Sequence, residues 1–372
     1  MKKFLVNVIL FAIPIIILLL IPFTTLLWSK ENFYSIDNLI IKDKKYLIGY
    51  GYQENNYGYL KWKHISSMPK KSIVALGSSR VLQFRDSMFT TSFYNAGYTI
   101  KKAADFQLFL HTIPKSKYPD YLIIGLDQWM FNDVFDSYVE TSKIDYWENS
   151  FSIYPNKITC TNVTNDILIG KYSYKLFLEN NTIDKIGLNA LTNNTGFIND
   201  GSMFYGNQIT KLLNNDTTAL DYNFSNTYNR IDLGTSPFQF GKEVSKKAIV
   251  EIDKFLYYCK SNNIKVIAFL PPYADKVYQK MIKSEKYNYV LKIYNSLKPV
   301  FEKYNYEVYD YSNSKLCNSS DSANTDGFHG SETTYQSILI NMLDLGCSLK
   351  NITDKHKLIK DLANSKNYYS VY

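Results

Sequence analysis

Cysteine and histidine are scarce in this chain of 372 residues, which contains four of each. Neither occurs as a Cys-x-x-Cys pair or as a histidine cluster, the spacings that bind zinc and other metal ions. We therefore predict that the protein holds no metal ion and no other cofactor. The four cysteines allow three complete pairings, and a disulfide between Cys317 and Cys347 could close a loop near the carboxyl terminus.

A dense basic patch is also missing. The chain has 42 basic and 34 acidic residues, a net charge of +8, but the charges are spread along its length. Nucleic-acid binding needs clustered lysine and arginine, so we exclude DNA and RNA as partners. A mildly cationic surface suits an anionic lipid or an anionic envelope polymer, and it is equally consistent with simple solubility.

Charged residues are absent from one long stretch at the amino terminus, Phe4 to Trp28. About 20 apolar residues suffice to cross a bilayer, and no small-residue cleavage site of a secretory signal follows this run. We therefore predict that residues 1–28 form an uncleaved transmembrane anchor. By the positive-inside rule, Lys2 and Lys3 place its start in the cytoplasm. The remainder would then be the extracytoplasmic domain of a single-pass protein of the cell membrane.

Four short runs predict strands, and segments with helical spacing of apolar residues alternate with them. The runs that predict strands are Ser72–Leu76, Tyr121–Leu126, Lys265–Leu270 and Tyr306–Tyr311. The segments that predict helices are 101–112, 242–262, 277–304 and 332–345. Such alternation favours an α/β fold, a flavodoxin-like and mostly parallel sheet with helices on both faces.

The α/β pattern is interrupted between about residues 130 and 240, where periodicity is weak and Asn, Thr, Tyr and Asp are frequent. This stretch is too long for one connection in a compact domain, so we interpret it as an insertion that covers or borders the site. The predicted organisation is an anchor at 1–28, a stalk at 29–70, a catalytic α/β domain at 71–350 that carries the insertion, and a polar tail at 351–372.

Two short motifs, about 250 residues apart, supply the residue types for covalent catalysis. Gly77-Ser78-Ser79-Arg80 follows the first predicted strand, where parallel sheets present reactive groups. Asp326-Gly327-Phe328-His329 follows the last predicted strand and offers a base with a carboxylate three residues earlier. We predict Ser79 as nucleophile, His329 as general base and Asp326 as its orienting acid, with Ser78 as the competing nucleophile. A turn of small polar residues is the alternative interpretation of the first motif.

This arrangement resembles the SGNH (GDSL-like) hydrolase superfamily, whose serine block follows the first strand and whose Asp-x-x-His block lies near the carboxyl terminus. Asn95-Ala96-Gly97 resembles the second block, which implies that the Gly97 N–H helps to form the oxyanion hole. Ser78 stands where the family usually carries aspartate. That substitution resembles the cell-envelope acyltransferase branch, which includes the D-alanyl-transfer protein of the teichoic acid pathway and the alginate O-acetylation proteins.

The third block of the family, Gly-x-Asn-Asp, differs here, because the corresponding strand ends in Gly125-Leu126-Asp127. The asparagine of the family donates to the oxyanion, whereas an ionised Asp127 only accepts hydrogen bonds. Either the backbone donors of Ser79 and Gly97 suffice, or Asn132 or another group replaces the missing donor. Asp127 could instead orient Arg80 through an ion pair.

The resemblance implies a membrane-anchored, extracytoplasmic serine acyltransferase or esterase. Such a protein would O-acylate, and most broadly O-acetylate, a bacterial cell-envelope polysaccharide or a teichoic-acid-like polymer through an acyl-serine intermediate. Members of this branch act beside a membrane-bound O-acyltransferase, which is the partner that the resemblance implies. Two alternatives use the same fold: an esterase that removes acyl groups from the polymer, and a non-catalytic scaffold or binding protein of a polymer export complex.

Overall fold

A computed structural model describes most of the chain and divides it into two compact units. The described residues are 1–41, 44–135, 147, 151–173 and 183–372. Unit 1 comprises Met1–Tyr57, Ser150–Asn199 and Phe204–Asn207. Unit 2 comprises Gly58–Asn149, Asp200–Met203 and Gln208–Tyr372.

An all-parallel sheet of five strands forms the centre of unit 2. In chain order, the strands of the described residues are β1 Tyr46–Ile48, β2 Ile73–Gly77, β3 Phe93–Gly97, β4 Tyr121–Gly125, β5 Asp184–Ile186, β6 Gly196–Phe197, β7 Met203–Phe204, β8 Lys265–Leu270 and β9 Glu307–Asp310. The parallel sheet has the order β3-β2-β4-β8-β9. Numbered within the sheet, this is the order 2-1-3-4-5 of flavodoxin-like folds. The predicted α/β fold with a parallel sheet is therefore confirmed.

An apolar core lies on each face of the parallel sheet. Successive side chains of a strand point to opposite faces, so each inner strand contributes to both cores. In β2, Ile73 and Ala75 belong to one apolar core, whereas Val74 and Leu76 belong to another. A strand that must be apolar on both faces appears in the sequence as a continuous apolar run. For this reason these strands can be predicted from the sequence.

Helices cover both faces of the parallel sheet. The helices of the described residues are α1 Lys2–Trp28, α2 Asp37–Ile41, α3 Asn56–Ser67, α4 Asp105–Thr112, α5 Lys157–Leu168, α6 Leu188–Thr192, α7 Asn207–Leu213, α8 Ser225–Leu233, α9 Lys246–Ser261, α10 Asp275–Lys283, α11 Val290–Glu302, α12 Glu332–Asp344 and α13 Lys355–Ala363. Helices α4, α9 and α11 contribute to the core on one face, and α12 contributes to the core on the other. Helix α9 begins where the Ser245 hydroxyl accepts a hydrogen bond from the Ala248 N–H at 3.2 Å, a favourable N-cap.

Strands β5, β1 and β6 of unit 1 belong to a small mixed sheet of order β5-β1-β6-β7, in which β1 is parallel to β5 and antiparallel to β6. The carboxylate of Glu31 accepts hydrogen bonds from four backbone N–H groups, those of Gly51, Tyr52, Gln53 and Leu188. Burial raises the pKa of Glu31, and these N–H groups oppose the rise. Part of the segment that we predicted as a stalk thus contributes a strand and a buried carboxylate to a folded unit.

The apolar run at the amino terminus forms helix α1, which contains Pro14 and Pro22. In the part of the chain that the structure describes, no helix is long and apolar enough to cross a membrane, so the predicted transmembrane anchor is not found. The carboxyl end of the helix packs against other residues of unit 1. Leu26 is fully buried there, in a small apolar core with Val163 and Leu188.

Residues 351–372, predicted as a polar tail, contain helix α13 and pack in unit 2. Leu358 is buried in the core on the α12 face of the sheet, and the Val371 N–H donates to the Glu332 carboxylate at 2.8 Å. Of the predicted insertion at about 130–240, some residues lie outside the described part of the chain, namely 136–146, 148–150 and 174–182.

All four cysteines are free thiols, so the disulfide considered between Cys317 and Cys347 is not formed. Both thiols are buried in the core on the α12 face. Burial raises the pKa of each to about 12. They therefore pack as small apolar side chains.

Candidate active site

Ser79 lies directly beyond the carboxyl end of β2, the strand at which the order of the parallel sheet reverses. Open parallel sheets leave a crevice for ligands at this edge. A short 3₁₀ turn, Ser79–Val81, begins there. The Ser78 hydroxyl caps the turn by accepting a hydrogen bond from the Arg80 N–H at 3.1 Å. Of the two serines predicted as candidates, Ser78 thus serves the turn itself.

The hydroxyl of Ser79 contacts the imidazole of His329, with 2.8 Å between Oγ and Nε2. The other ring nitrogen, Nδ1, lies 2.6 Å from Oδ2 of Asp326. The structure therefore brings together the three residues predicted as nucleophile, base and orienting acid. A serine hydroxyl within reach of a histidine that a carboxylate holds can lose its proton to that histidine.

Asp326 also shapes the loop that carries His329. Its Oδ1 accepts hydrogen bonds from the backbone N–H groups of Phe328 at 2.9 Å and of His329 at 2.7 Å. Burial raises the pKa of Asp326, but His329 and these N–H groups outweigh burial, and the net pKa is lowered. The carboxylate is therefore ionised at neutral pH, where it can stabilise an imidazolium at His329.

Arg80 connects the Ser79 turn to the other parts of the site. Its buried guanidinium donates to four acceptors, which are the Phe328 carbonyl at 2.9 Å, the Gln128 side chain at 2.6 Å, the Pro271 carbonyl at 2.7 Å and the Asp127 carboxylate at 3.4 Å. Because Phe328 precedes His329 in the chain, the first of these hydrogen bonds fixes the base relative to the turn that carries the serine.

Asp127 is fully buried beside Arg80, with 3.4 Å between Oδ1 and Nη1, so the ion pair considered from the sequence is present. The second carboxylate oxygen, Oδ2, has no hydrogen-bond partner among the described residues. Burial raises the pKa of Asp127 to about 6, and Arg80, the Ser78 hydroxyl and His329 oppose the rise. Ionising this group leaves a buried charge that is only partly compensated, which is costly.

Two of the donors considered for an oxyanion are engaged elsewhere. The Gly97 N–H donates to Oδ1 of Asn95 at 2.9 Å, and the Asn95 amide donates in turn to the Val81 carbonyl at 2.8 Å. The amide of Asn132 donates to a backbone carbonyl of the insertion at 2.8 Å. In this structure Asn95 fixes the turn, and the oxyanion role of Gly97 stays a prediction. The Ser79 N–H is the remaining predicted donor, at the start of a turn, where N–H groups lack an internal partner.

Part of the predicted insertion borders the site. The carboxylate of Asp221 accepts a hydrogen bond from the Gly327 N–H at 2.9 Å and another from the Thr227 N–H at 3.0 Å. A side chain at Gly327 would not fit, because a Cβ there would lie 2.6 Å from Oγ1 of Thr227. The loop of His329 therefore needs this glycine. Neither Asp221 nor Thr227 belongs to a motif, so the sequence offers no signal for this contact.

Among the residues that the structure describes, no group of three or more His, Cys, Asp or Glu side chains is placed to bind a metal ion. A scan against protein-family models, a search of curated proteins and a search of solved structures each found no significant match. The findings thus support an α/β protein with a parallel five-strand sheet, a fold consistent with the flavodoxin-like and SGNH types, without identifying a family.

Proposed function

We propose that this protein is a serine acyltransferase or esterase that O-acylates, most broadly O-acetylates, a bacterial cell-envelope polysaccharide or a teichoic-acid-like polymer. The observation that carries the proposal is the pair of short contacts from Ser79 Oγ to His329 Nε2, 2.8 Å, and from His329 Nδ1 to Asp326 Oδ2, 2.6 Å. Their position at the carboxyl edge of a parallel sheet supports a reactive site over a turn of small polar residues. The polymer substrate comes from the resemblance of the motifs to the cell-envelope branch of the SGNH superfamily.

The reaction proceeds in two half-reactions through an ester of Ser79. First, His329 accepts the hydroxyl proton while Oγ attacks the carbonyl carbon of the acyl donor. The leaving group of the donor departs with that proton, and the acyl group remains on Oγ. Then His329 deprotonates a hydroxyl of the polymer, whose oxygen attacks the ester, and the proton returns to Oγ as it leaves. The Ser79 N–H donates to the oxyanion in both steps.

The acyl donor in this proposal is a membrane-bound O-acyltransferase, and the reaction takes place outside the cytoplasm. An esterase that removes acyl groups from the same polymer would use the same residues, with water in place of the polymer hydroxyl. Analysis of the products separates these two activities, since one transfers the acyl group and the other releases a free acid.

A non-catalytic scaffold is the second candidate, and one observation favours it. The Gly97 N–H is already bound to Asn95, and Asp127 stands where a donor would be expected. The loss of one oxyanion donor costs about 2.7–4 kcal/mol of transition-state stabilisation. The two candidates differ in whether Ser79 becomes acylated.

Acetylation of Ser79 by p-nitrophenyl acetate tests the proposal on the full chain. We expect the wild type to release p-nitrophenol and to carry an acetyl group on Ser79, seen by intact mass and peptide mapping. Ser79→Ala and His329→Ala should each lower the rate by at least about 100-fold, the usual contribution of a positioned base. Ser261→Ala, at an exposed serine of α9, serves as control. Equal rates in all four chains, with no adduct in the wild type, would support the scaffold.

A further inference from the structure

Arginine is rare in this chain. Only three of its 42 basic residues are arginines, Arg80, Arg85 and Arg230, and the others are lysines. Both side chains are cationic, but only the planar guanidinium presents a fork of donors that matches carboxylate and phosphate groups and also stacks on aromatic rings. In a chain that otherwise uses lysine, an arginine indicates a position where this geometry is needed.

In unit 2, the positive charges of two of the three arginines are each compensated by a carboxylate. Arg80 lies beside Asp127, as described above. Arg85 forms an ion pair with Glu332, with 2.8 Å between Nε and Oε1, and also donates to the Gln83 side chain at 3.2 Å. Each of these buried guanidinium groups therefore has a buried carboxylate beside it.

Arg230 is different, because it is partly exposed and lies on aromatic rings. It belongs to the last turn of α8, within the predicted insertion. Its guanidinium carbon is 5.5 Å from the ring centre of Phe238 and 5.6 Å from that of Phe328. One of its N–H groups, on Nη2, donates to the Ser236 carbonyl. The rings and this hydrogen bond orient the guanidinium and leave other donors of the fork for a ligand.

The carboxylates close to Arg230 in the chain are already occupied. Asp232 forms an ion pair with Lys280 at 2.7 Å, and Asp221 accepts the N–H groups of Gly327 and Thr227. Within the described residues, no carboxylate forms an ion pair with Arg230. A cation that is oriented but uncompensated suits an anion from outside the chain.

The position of Arg230 relates that anion to the reacting groups. Phe328, on which the guanidinium lies, precedes His329, and the two rings are 4.3 Å apart. We propose that Arg230 and Phe328 form an acceptor subsite, in which Arg230 binds a carboxylate or phosphate group of the polymer while a nearby hydroxyl of that polymer faces His329. This inference rests on the proposed function, since it names the class of acceptor that meets the acyl ester.

Two kinds of envelope polymer supply such an anion: acidic polysaccharides carry uronate carboxylates, and polyol-phosphate polymers carry phosphodiesters. Small probes represent each of them, namely methyl glucuronide for the carboxylate and glycerol 1-phosphate for the phosphate. Methyl glucoside is the neutral control for the sugar ring. A subsite built on Arg230 binds at least one anionic probe at least tenfold more tightly than methyl glucoside, and which probe binds identifies the source of the anion.

Binding is measured by titration calorimetry on the full chain with Ser79→Ala, in which no ester can form on Ser79, so that the result does not depend on catalysis. Arg230→Gln in this background should weaken binding of the anionic probe at least tenfold. Arg230→Lys should retain part of the affinity, because it keeps the charge and loses the fork. Lys286→Gln is the matched control, since it removes another cation from an aromatic ring, that of Phe240 at 4.5 Å.

Thermal unfolding midpoints show whether each variant is folded. If Arg230→Gln is not folded, Arg230→Lys is used in its place. The proposal is overturned if neither anion binds better than methyl glucoside, or if the Arg230 and Lys286 variants weaken binding equally. If anion binding depends on Arg230 but Ser79 of the wild type is never acylated, the proposed function is rejected and this subsite is retained. Acylation without such binding would do the reverse.

Discussion

At the scale of single residues, Arg80 and Asp127 determine the charge beside the serine turn. Arg80 holds the Phe328 carbonyl next to His329, whereas Asp127 keeps one carboxylate oxygen without a partner in the described residues. In such a buried pair the cost of desolvation competes with the attraction between the charges. The protonation state of Asp127 is therefore a property of the site that responds to pH.

We expect Asp127→Asn to remove a pH dependence of stability. Burial raises the pKa of Asp127 from its ordinary 3.8 to about 6, so the folded chain binds this proton more tightly than the unfolded chain does. The stability that this group contributes is thus fully present below its unfolded pKa and is lost as pH rises through about 6. Since one pKa unit corresponds to about 1.4 kcal/mol, the wild type should lose up to about 3 kcal/mol that the variant does not lose.

Urea unfolding of the wild type and of Asp127→Asn at several pH values between 4 and 7.5 measures this difference. Groups that titrate in both chains cancel when the two free energies of unfolding are subtracted. Asp120→Asn is the control, because Asp120 is an exposed aspartate that pairs with Lys70 on the surface. Parallel curves for wild type and Asp127→Asn would show that the carboxylate is ionised throughout, with Arg80 as sufficient compensation.

At the scale of elements, three strands end in glycine beneath the same side chain. A Cβ at Gly77, at the end of β2, or at Gly97, at the end of β3, would lie 2.7 Å from the side chain of Val81. At Gly125, at the end of β4, the same distance would be 2.4 Å. The turn that begins at Ser79 can therefore rest on the strand ends only because all three strands end without a side chain.

Gly125→Ala should destabilise unit 2 by about 1–3 kcal/mol, the usual cost of an extra methyl group in a packed interior. Val81→Ala removes the atoms that the new methyl group would meet. The free energy of unfolding lost in the double variant should therefore be smaller, by at least about 0.5 kcal/mol, than the sum of the losses in the two single variants. Urea unfolding of the four chains of this cycle provides the test. Gly125→Ala with Val163→Ala, a buried valine of unit 1, should be additive. Additivity with Val81→Ala as well would contradict the packing that we describe.

At the scale of the whole molecule, the sequence predicts what depends on local pattern. Strands β2, β4 and β8 each overlap a predicted apolar run, because strands covered on both faces need apolar residues at nearly every position. The edge strand β9 overlaps the predicted segment 306–311, although it contains Glu307 and Asp310 and is only partly buried. The approach of Ser79 to His329 follows from the same pattern. Both residues come after strands of one parallel sheet, and parallel strands bring their carboxyl ends to one edge.

Contacts that depend on side-chain direction could not be predicted in this way. The motif around Asn95 suggests a free N–H at Gly97, but the rotamer of Asn95 directs its Oδ1 to that N–H. Asp221 reaches Gly327 from a segment without periodicity. The hydropathy of α1 shows that the segment is apolar, but it does not show that Leu26 packs in a protein core. The strands of unit 1 are only two or three residues long, too short for an alternating pattern.

Thiol accessibility tests both units of the chain in one experiment. With excess iodoacetamide near pH 8, we expect modification of Cys160 alone in the native chain and of four cysteines in urea, whether or not a reductant is added first. Cys259, Cys317 and Cys347 are buried, and burial raises the pKa of each thiol, so the reactive thiolate is scarce. Intact mass gives the count, and Cys160→Ser, the control, should show no modification in the native state. Two unreactive cysteines in unreduced urea would reveal a disulfide and contradict the packing of Cys317 and Cys347 as separate thiols.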